Sequence, residues 1–211
     1  MPELLYNILL FSHIICGGIA LISGLVALST VKGGRAHRSA GKIFVIAMMI
    51  VSFSAFFISI AKHLDFLLAI SIFSFYMNYT GYRVMKNRTG KFTWYDWLPV
   101  AISICTAIYM LISYKIVLVV FGIILTSFLF KDVRLQMQGE QAIKASRRLK
   151  VLTHISRMVG TYIATVTAFL VVNIQFVKPG WILWLLPTAI GTPFILYWTR
   201  QWQIKLKFVP Q

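Results

Sequence analysis

Residues 98–130 read LPVAISICTAIYMLISYKIVLVVFGIILTSFLF, and Lys115 is the only charged side chain among them. Wound as one helix at 1.5 Å per residue, this run would be about 50 Å long, against a hydrocarbon core of about 30 Å. It is too long for one membrane span and long enough for two. Ser113, Tyr114 and Lys115 supply the polar break. The expectation is a span from 94 to 112 and another from 116 to 130. Thr93 is placed to cap the first of them, with Asp96 three residues on in capping-box spacing.

The rest of the chain follows the same pattern. Of 211 residues, 59% are hydrophobic and 12% charged, where a soluble domain has about 45–50% and about 25%. This composition excludes a disordered chain and a soluble globule. Apolar runs at 4–31, 43–61, 66–84, 151–177 and 181–198 add five spans. The predicted fold is therefore all-α, a single bundle of seven transmembrane helices. The first run is not a secretory signal, because its positive charge, Lys32 and Arg35, follows the apolar segment. The second half of the long loop 131–150, after Gly139, reads as an amphipathic helix feeding span six. Cys16 and Cys105 lie far apart within apolar runs and form no CxxC, so they read as two small hydrophobes.

Lys and Arg number 21 against 5 Asp and Glu, a net charge of +16. In a soluble protein this would suggest nucleic acid, but no base-stacking or base-reading arrangement accompanies the charge. The cations cluster instead in alternate loops. Seventeen fall on one side of the membrane and three on the other, with Arg157 inside span six. The positive-inside rule then puts the N-terminus outside and the C-terminus in the cytoplasm of a bacterial inner membrane, with the basic loops against anionic lipid headgroups. All six tryptophans (Trp94, Trp97, Trp181, Trp184, Trp198 and Trp202) fall near span ends, as an interfacial aromatic belt requires. Rhodopsins share this seven-helix plan, but residues 181–198 contain no lysine for a retinal Schiff base.

Ionisable groups in a membrane point to function by default. Topology sorts the four histidines into an outer pair, His13 and His63, and an inner pair, His37 and His154. His13 lies about 13 Å into span one. On its face, one turn apart, follow Gly17, Ala20, Gly24 and Ala27. This is either a close-packing groove of the small-xxx-small type or a pocket that admits a flat cofactor ligated by His13. Haem b and a transition metal both suit neutral imidazole, and His13 with His63 is the candidate metal pair. Arg157 needs a counter-charge. Of the acids on the inner side, Asp96 begins span four at a similar depth; an anionic ligand shared with Arg38 is the alternative. His154 is one turn away on the same face.

Two further features concern cavities. Span three carries Ser71, Ser74, Asn78 and Tyr82 on one stripe, which either lines a cavity or glues helices. Span seven holds Pro187, Gly191 and Pro193, residues that kink or interrupt a helix and can mark a binding site. No HExxH, GxSxG, Walker loop or carboxylate pair is present. With only Glu3, Asp65, Asp96, Asp132 and Glu140 as acids, enzymatic activity is left open.

At His13-x3-Gly17, at Arg35-x-His37-Arg38-x2-Gly41 and at His154-x2-Arg157-Met158 the chain resembles a widespread bacterial membrane family catalogued as a domain of unknown function. The resemblance covers residues 1–60 and the start of span six. It implies that His13, His37, Arg38, Gly41, His154 and Arg157 are the recurrent set, and it brings no activity with it. The expected function is a histidine-lined cofactor or metal site, haem-linked or redox. The alternatives are a small-solute or ion transporter and a non-catalytic subunit of a larger membrane complex, with a membrane-protein partner or a second copy.

Overall fold

The computed structural model describes residues 1–87, 89–138, 147–174 and 176–207. Seven α-helices make up the regular structure among them: α1 Glu3–Ser29, α2 Arg35–Ala61, α3 Asp65–Lys86, α4 Trp94–Ile112, α5 Ile116–Met137, α6 Arg147–Asn173 and α7 Trp181–Lys207. The architecture is all-helical, as composition predicts. Six of the helices are long and apolar enough to cross a membrane. The exception is α3, whose Ser71, Ser74, Asn78, Thr80 and Arg83 dilute its apolar character. Most of those groups are buried in protein, so α3 presents little apolar surface to lipid. The chain divides into two compact units, Met1–Tyr79 and Thr80–Gln211.

In the first unit α1 and α2 form an antiparallel hairpin. α1 ends where Lys32 folds back. Its ammonium donates to the carbonyls of Ala27 and Thr30 at 3.2 Å, and to that of Leu28. These are acceptors that a helix C-terminus leaves without intrahelical partners. Gly33 turns the chain at φ +80 and α2 starts at once. Its helix therefore begins eight residues before the expected 43, and His37 and Arg38 lie in its first turns rather than in a loop. α2 stops in a Schellman motif. Leu64 N–H reaches Ser59 O at 2.9 Å and His63 N–H reaches Ile60 O at 3.2 Å, with His63 in the left-handed region at φ 53. The Lys62 ammonium beside it lies 4.6 Å over the Tyr6 ring.

In the second unit the expected ends of α4 and the start of α5 match residue for residue. Thr93 and Asp96 form the capping box, the Thr93 N–H donating to Asp96 Oδ2 at 2.8 Å. Tyr114, at φ 57, makes the turn into α5. Gly122 lets α5 close on α4, since a Cβ there would lie 2.9 Å from Met110 Cβ. α5 does not stop at Phe130. It runs seven residues further, so Lys131–Met137 is helix and not loop. The amphipathic helix expected after Gly139 falls largely on residues 139–146, outside those described. α6 and α7 pack together, and Gly191 carries that contact: a Cβ there would meet Ile163 Cδ1 at 2.3 Å. Pro187 and Pro193 lie inside an α7 that continues through both, so neither breaks it.

Candidate functional site

Three of the four histidines share one feature. His13 Nδ1 lies 3.1 Å from Val51 O, His37 Nδ1 lies 2.9 Å from Ala27 O, and His154 Nδ1 lies 2.8 Å from Gly81 O. A carbonyl oxygen only accepts, so each Nδ1 must carry the proton. In the neutral ring the lone pair is then on Nε2. Each imidazole is thereby fixed in tautomer and orientation by the backbone of a neighbouring helix, the arrangement seen in metal-ligating histidines.

His13 is half-buried on α1. Its Nδ1 is also 3.1 Å from Ser54 Oγ, which itself donates to Ile50 O at 2.8 Å. The small-residue stripe beside it divides in two. Ala20 and Gly24 are buried, whereas a Cβ built on Gly17, one turn from His13, meets no atom within 4 Å. Gly17 is therefore not held in a close helix contact, and space is open next to the imidazole. His63 does not join His13. It is exposed at the end of α2, level with Tyr6 through Lys62, and seven residues of α1, about 10 Å, separate Tyr6 from His13. Among the described residues no group of three or more His, Cys, Asp or Glu side chains is disposed to hold a metal ion.

The second unit buries charge. Arg157 is 1% exposed. Its guanidinium donates to Thr80 Oγ1 at 2.8 Å, to Phe128 O at 3.3 Å and to Asp132 Oδ2 at 2.9 Å. It also lies 4.1 Å over the Phe128 ring. The expected partner was Asp96, and that pairing is not formed. Asp96 accepts instead from Arg83, at 2.8 Å from Nε and 3.0 Å from the second nitrogen. The reason is the length of α5: its continuation past Phe130 carries Asp132 to Arg157, while Arg83, three turns along α3 from Ser71, reaches the start of α4. Nor does Arg157 snorkel to headgroups. Gly81 makes the approach, since a Cβ there would lie 2.8 Å from Arg157 Cβ, and the same residue's carbonyl receives His154. Both functional candidates of α6 thus face α3. Sequence reasoning missed Asp132, Phe128 and Gly81. The available signal is the i, i+4 spacing of Phe128 and Asp132 in a helix that runs on past Phe130.

The remaining candidates are placed as follows. Ser71, Ser74 and Asn78 are buried, the last fully, and Tyr82 is half-buried with the Lys86 ammonium 5.8 Å from its ring. Pro187 is half-buried and Arg38 is exposed. The loop after α3 is tied down by Asn87, whose Oδ1 accepts from Thr89 and Gly90 at 2.9 Å, and by Gln136, which bonds Phe92 N at 2.9 Å and Gly90 O at 3.0 Å.

No curated protein and no solved structure matches the chain. A family model described as "Predicted membrane protein (DUF2306)" matches residues 10–133. The match takes in His13, His37, Arg38, Gly41 and His63. It covers the middle of the chain, beyond the first 60 residues, and ends before His154 and Arg157. Since the matched residues make up more than half of the sequence, the chain belongs to this family of predicted membrane proteins.

Proposed function

We propose that the protein is a multi-pass carrier of electrons in the membrane, holding a haem b through Nε2 of His13. One observation carries the reading. His13 spends its Nδ1 proton on Val51 O, which leaves the Nε2 lone pair for a ligand beside the open space at Gly17. A bare zinc or copper ion needs three or four protein donors, and the described residues do not gather three. Haem brings four nitrogen donors of its own and asks the protein for one imidazole or two. When bound, the group supplies one-electron chemistry. The chain's own part is to fix the ring of His13 and to leave Gly17 without a side chain in the way of a planar ligand.

The same reading places the N-terminus outside and the C-terminus in the cytoplasm of a bacterial inner membrane, supported by the seventeen-to-three division of Lys and Arg. It requires α3 to cross with the six apolar helices. The exposed Ile14, Ile15, Ile22 and Leu25 of α1 would meet lipid tails or a partner helix, and Arg35 and Arg38 anionic headgroups. The test is haem stoichiometry in protein produced with haem supplementation. Wild type and His63→Ala should retain haem, and His13→Ala should lose it. Equal retention in His13→Ala would remove His13 as ligand, and no haem in wild type would end the proposal.

A further inference from the structure

We infer that the Lys62 ammonium holds a propionate of the haem on His13, an assignment that rests on His13 being the haem ligand. Haem b carries two propionates on one edge of the porphyrin, away from the iron. An ionised carboxylate left unpaired in hydrocarbon is costly. His13 sits nearer the Glu3 end of α1 than the Ser29 end, so the propionates would reach polar surroundings soonest toward Glu3.

One face of α1 leads that way. Tyr6, His13 and Gly17 are spaced by seven and four residues and so share a stripe. All three are half-buried, as are Leu9 and Leu10 between the first two. Tyr6 is two turns from His13, about 10 Å along the axis. That is the order of the span from a haem iron to its carboxylates. A porphyrin ligated by His13 Nε2 would lay its apolar body along Leu9 and Leu10 and bring its charged edge level with Tyr6.

A cation already stands there. Lys62 is the C-cap of α2, and its ammonium lies 4.6 Å over the Tyr6 ring. An aromatic face attracts an ammonium without neutralising it. Two acids share this end of the unit: Glu3, one turn before Tyr6, and Asp65, three residues after Lys62. Both are exposed, and among the described residues neither is paired with Lys62. Its charge is therefore left for an anionic ligand. The other lysines and arginines of Met1–Tyr79 are Lys32, Arg35, Arg38 and Lys42. They belong to the opposite end of the hairpin, where His37 bonds Ala27 O, about 21 Å along α1 from His13. A lysine at a helix C-terminus also complements the helix dipole, so the decisive readout is the charge of the ligand and not the stability of the fold.

The test loads the full chain in nanodiscs with haem b or with its dimethyl ester, which keeps the macrocycle and has no carboxylate. Loss to excess apomyoglobin is followed at the Soret band. Lys62→Met should lose haem b several-fold faster than wild type and lose the ester at the wild-type rate. Lys62→Arg, which keeps the charge, should hold both as wild type does. Lys62→Gln repeats the measurement should the Met variant fold poorly. Unchanged haem b loss without the ammonium, or equal acceleration for haem b and the ester, would overturn the Lys62 assignment and leave His13 as ligand. Wild type that takes up neither haem, or His13→Ala that holds them as firmly as wild type, would end the haem reading and the Lys62 assignment together.

Discussion

Removing the carboxylate of Asp132 should be the most damaging single change in the second unit. The Arg157 side chain is 2% exposed and that of Asp132 13%. In Asp132→Ala the guanidinium keeps Thr80, the Phe128 carbonyl and the Phe128 ring, but these are neutral, and its charge stays buried. Stripping one partner from a buried pair costs about 3–5 kcal/mol. The slight exposure of Asp132 lets water replace part of the loss, which puts the expectation near the lower end, about 3 kcal/mol. Asp132→Asn keeps an acceptor and should cost less. The double change Asp132→Leu with Arg157→Met removes both charges and should be more stable than Asp132→Ala alone, because the cost lies in a buried charge that has lost the Asp132 carboxylate and not in the missing contact. Unfolding in a detergent titration, followed by circular dichroism, measures these three variants and the two single changes Asp132→Leu and Arg157→Met. A cost below about 0.5 kcal/mol for Asp132→Ala, the range of a neutral surface change, would refute the buried-pair argument. Strict additivity in the double variant would refute it as well.

Other consequences concern the glycines, the helix stop and the topology. Gly122→Leu and Gly191→Leu should each destabilise by about 1–3 kcal/mol through overpacking against Met110 and Ile163. Gly17→Leu should unfold at wild-type detergent concentration but retain less haem, since its space is open; equal destabilisation of all three would contradict the distinction. His63→Gly should stabilise by about 1 kcal/mol, because a left-handed backbone suits glycine better than histidine; no gain in the same titration would argue against that geometry. A cysteine at Ser39 should react with impermeant thiol reagents only from the cytoplasm, and one at Pro179 only from outside; reversed labelling would overturn the orientation.

The sequence carried the helices better than their ends, for identifiable reasons. α4 could be bounded because its signals are local: Thr93 and Asp96 at one end, a polar triplet at the other. Charge does not mark the ends of α2 and α5. A helix does not stop where the hydrocarbon does, and Arg35, Arg38, Lys131 and Arg134 extend α2 and α5 at their polar ends. With α5 ended at Phe130, Asp132 had no position, and Asp96 was the only acid at a suitable depth for Arg157. The histidines were legible as candidates, but their hydrogen bonds were not. Val51, Ala27 and Gly81 take part through backbone oxygen, which no residue identity encodes. The stripe from His13 to Gly24 was legible as a face, yet only the packing separates buried Ala20 and Gly24 from open Gly17.

The central claim is that His13 presents a free Nε2 to haem. A dithionite-reduced minus oxidised spectrum of membranes containing the protein, wild type beside His13→Ala at matched abundance, tests it most directly. Wild type should give the Soret and α bands of a b-type haem, and His13→Ala should lack them. A flat difference spectrum from haem-supplemented wild type, or bands of equal size in His13→Ala, would contradict the account.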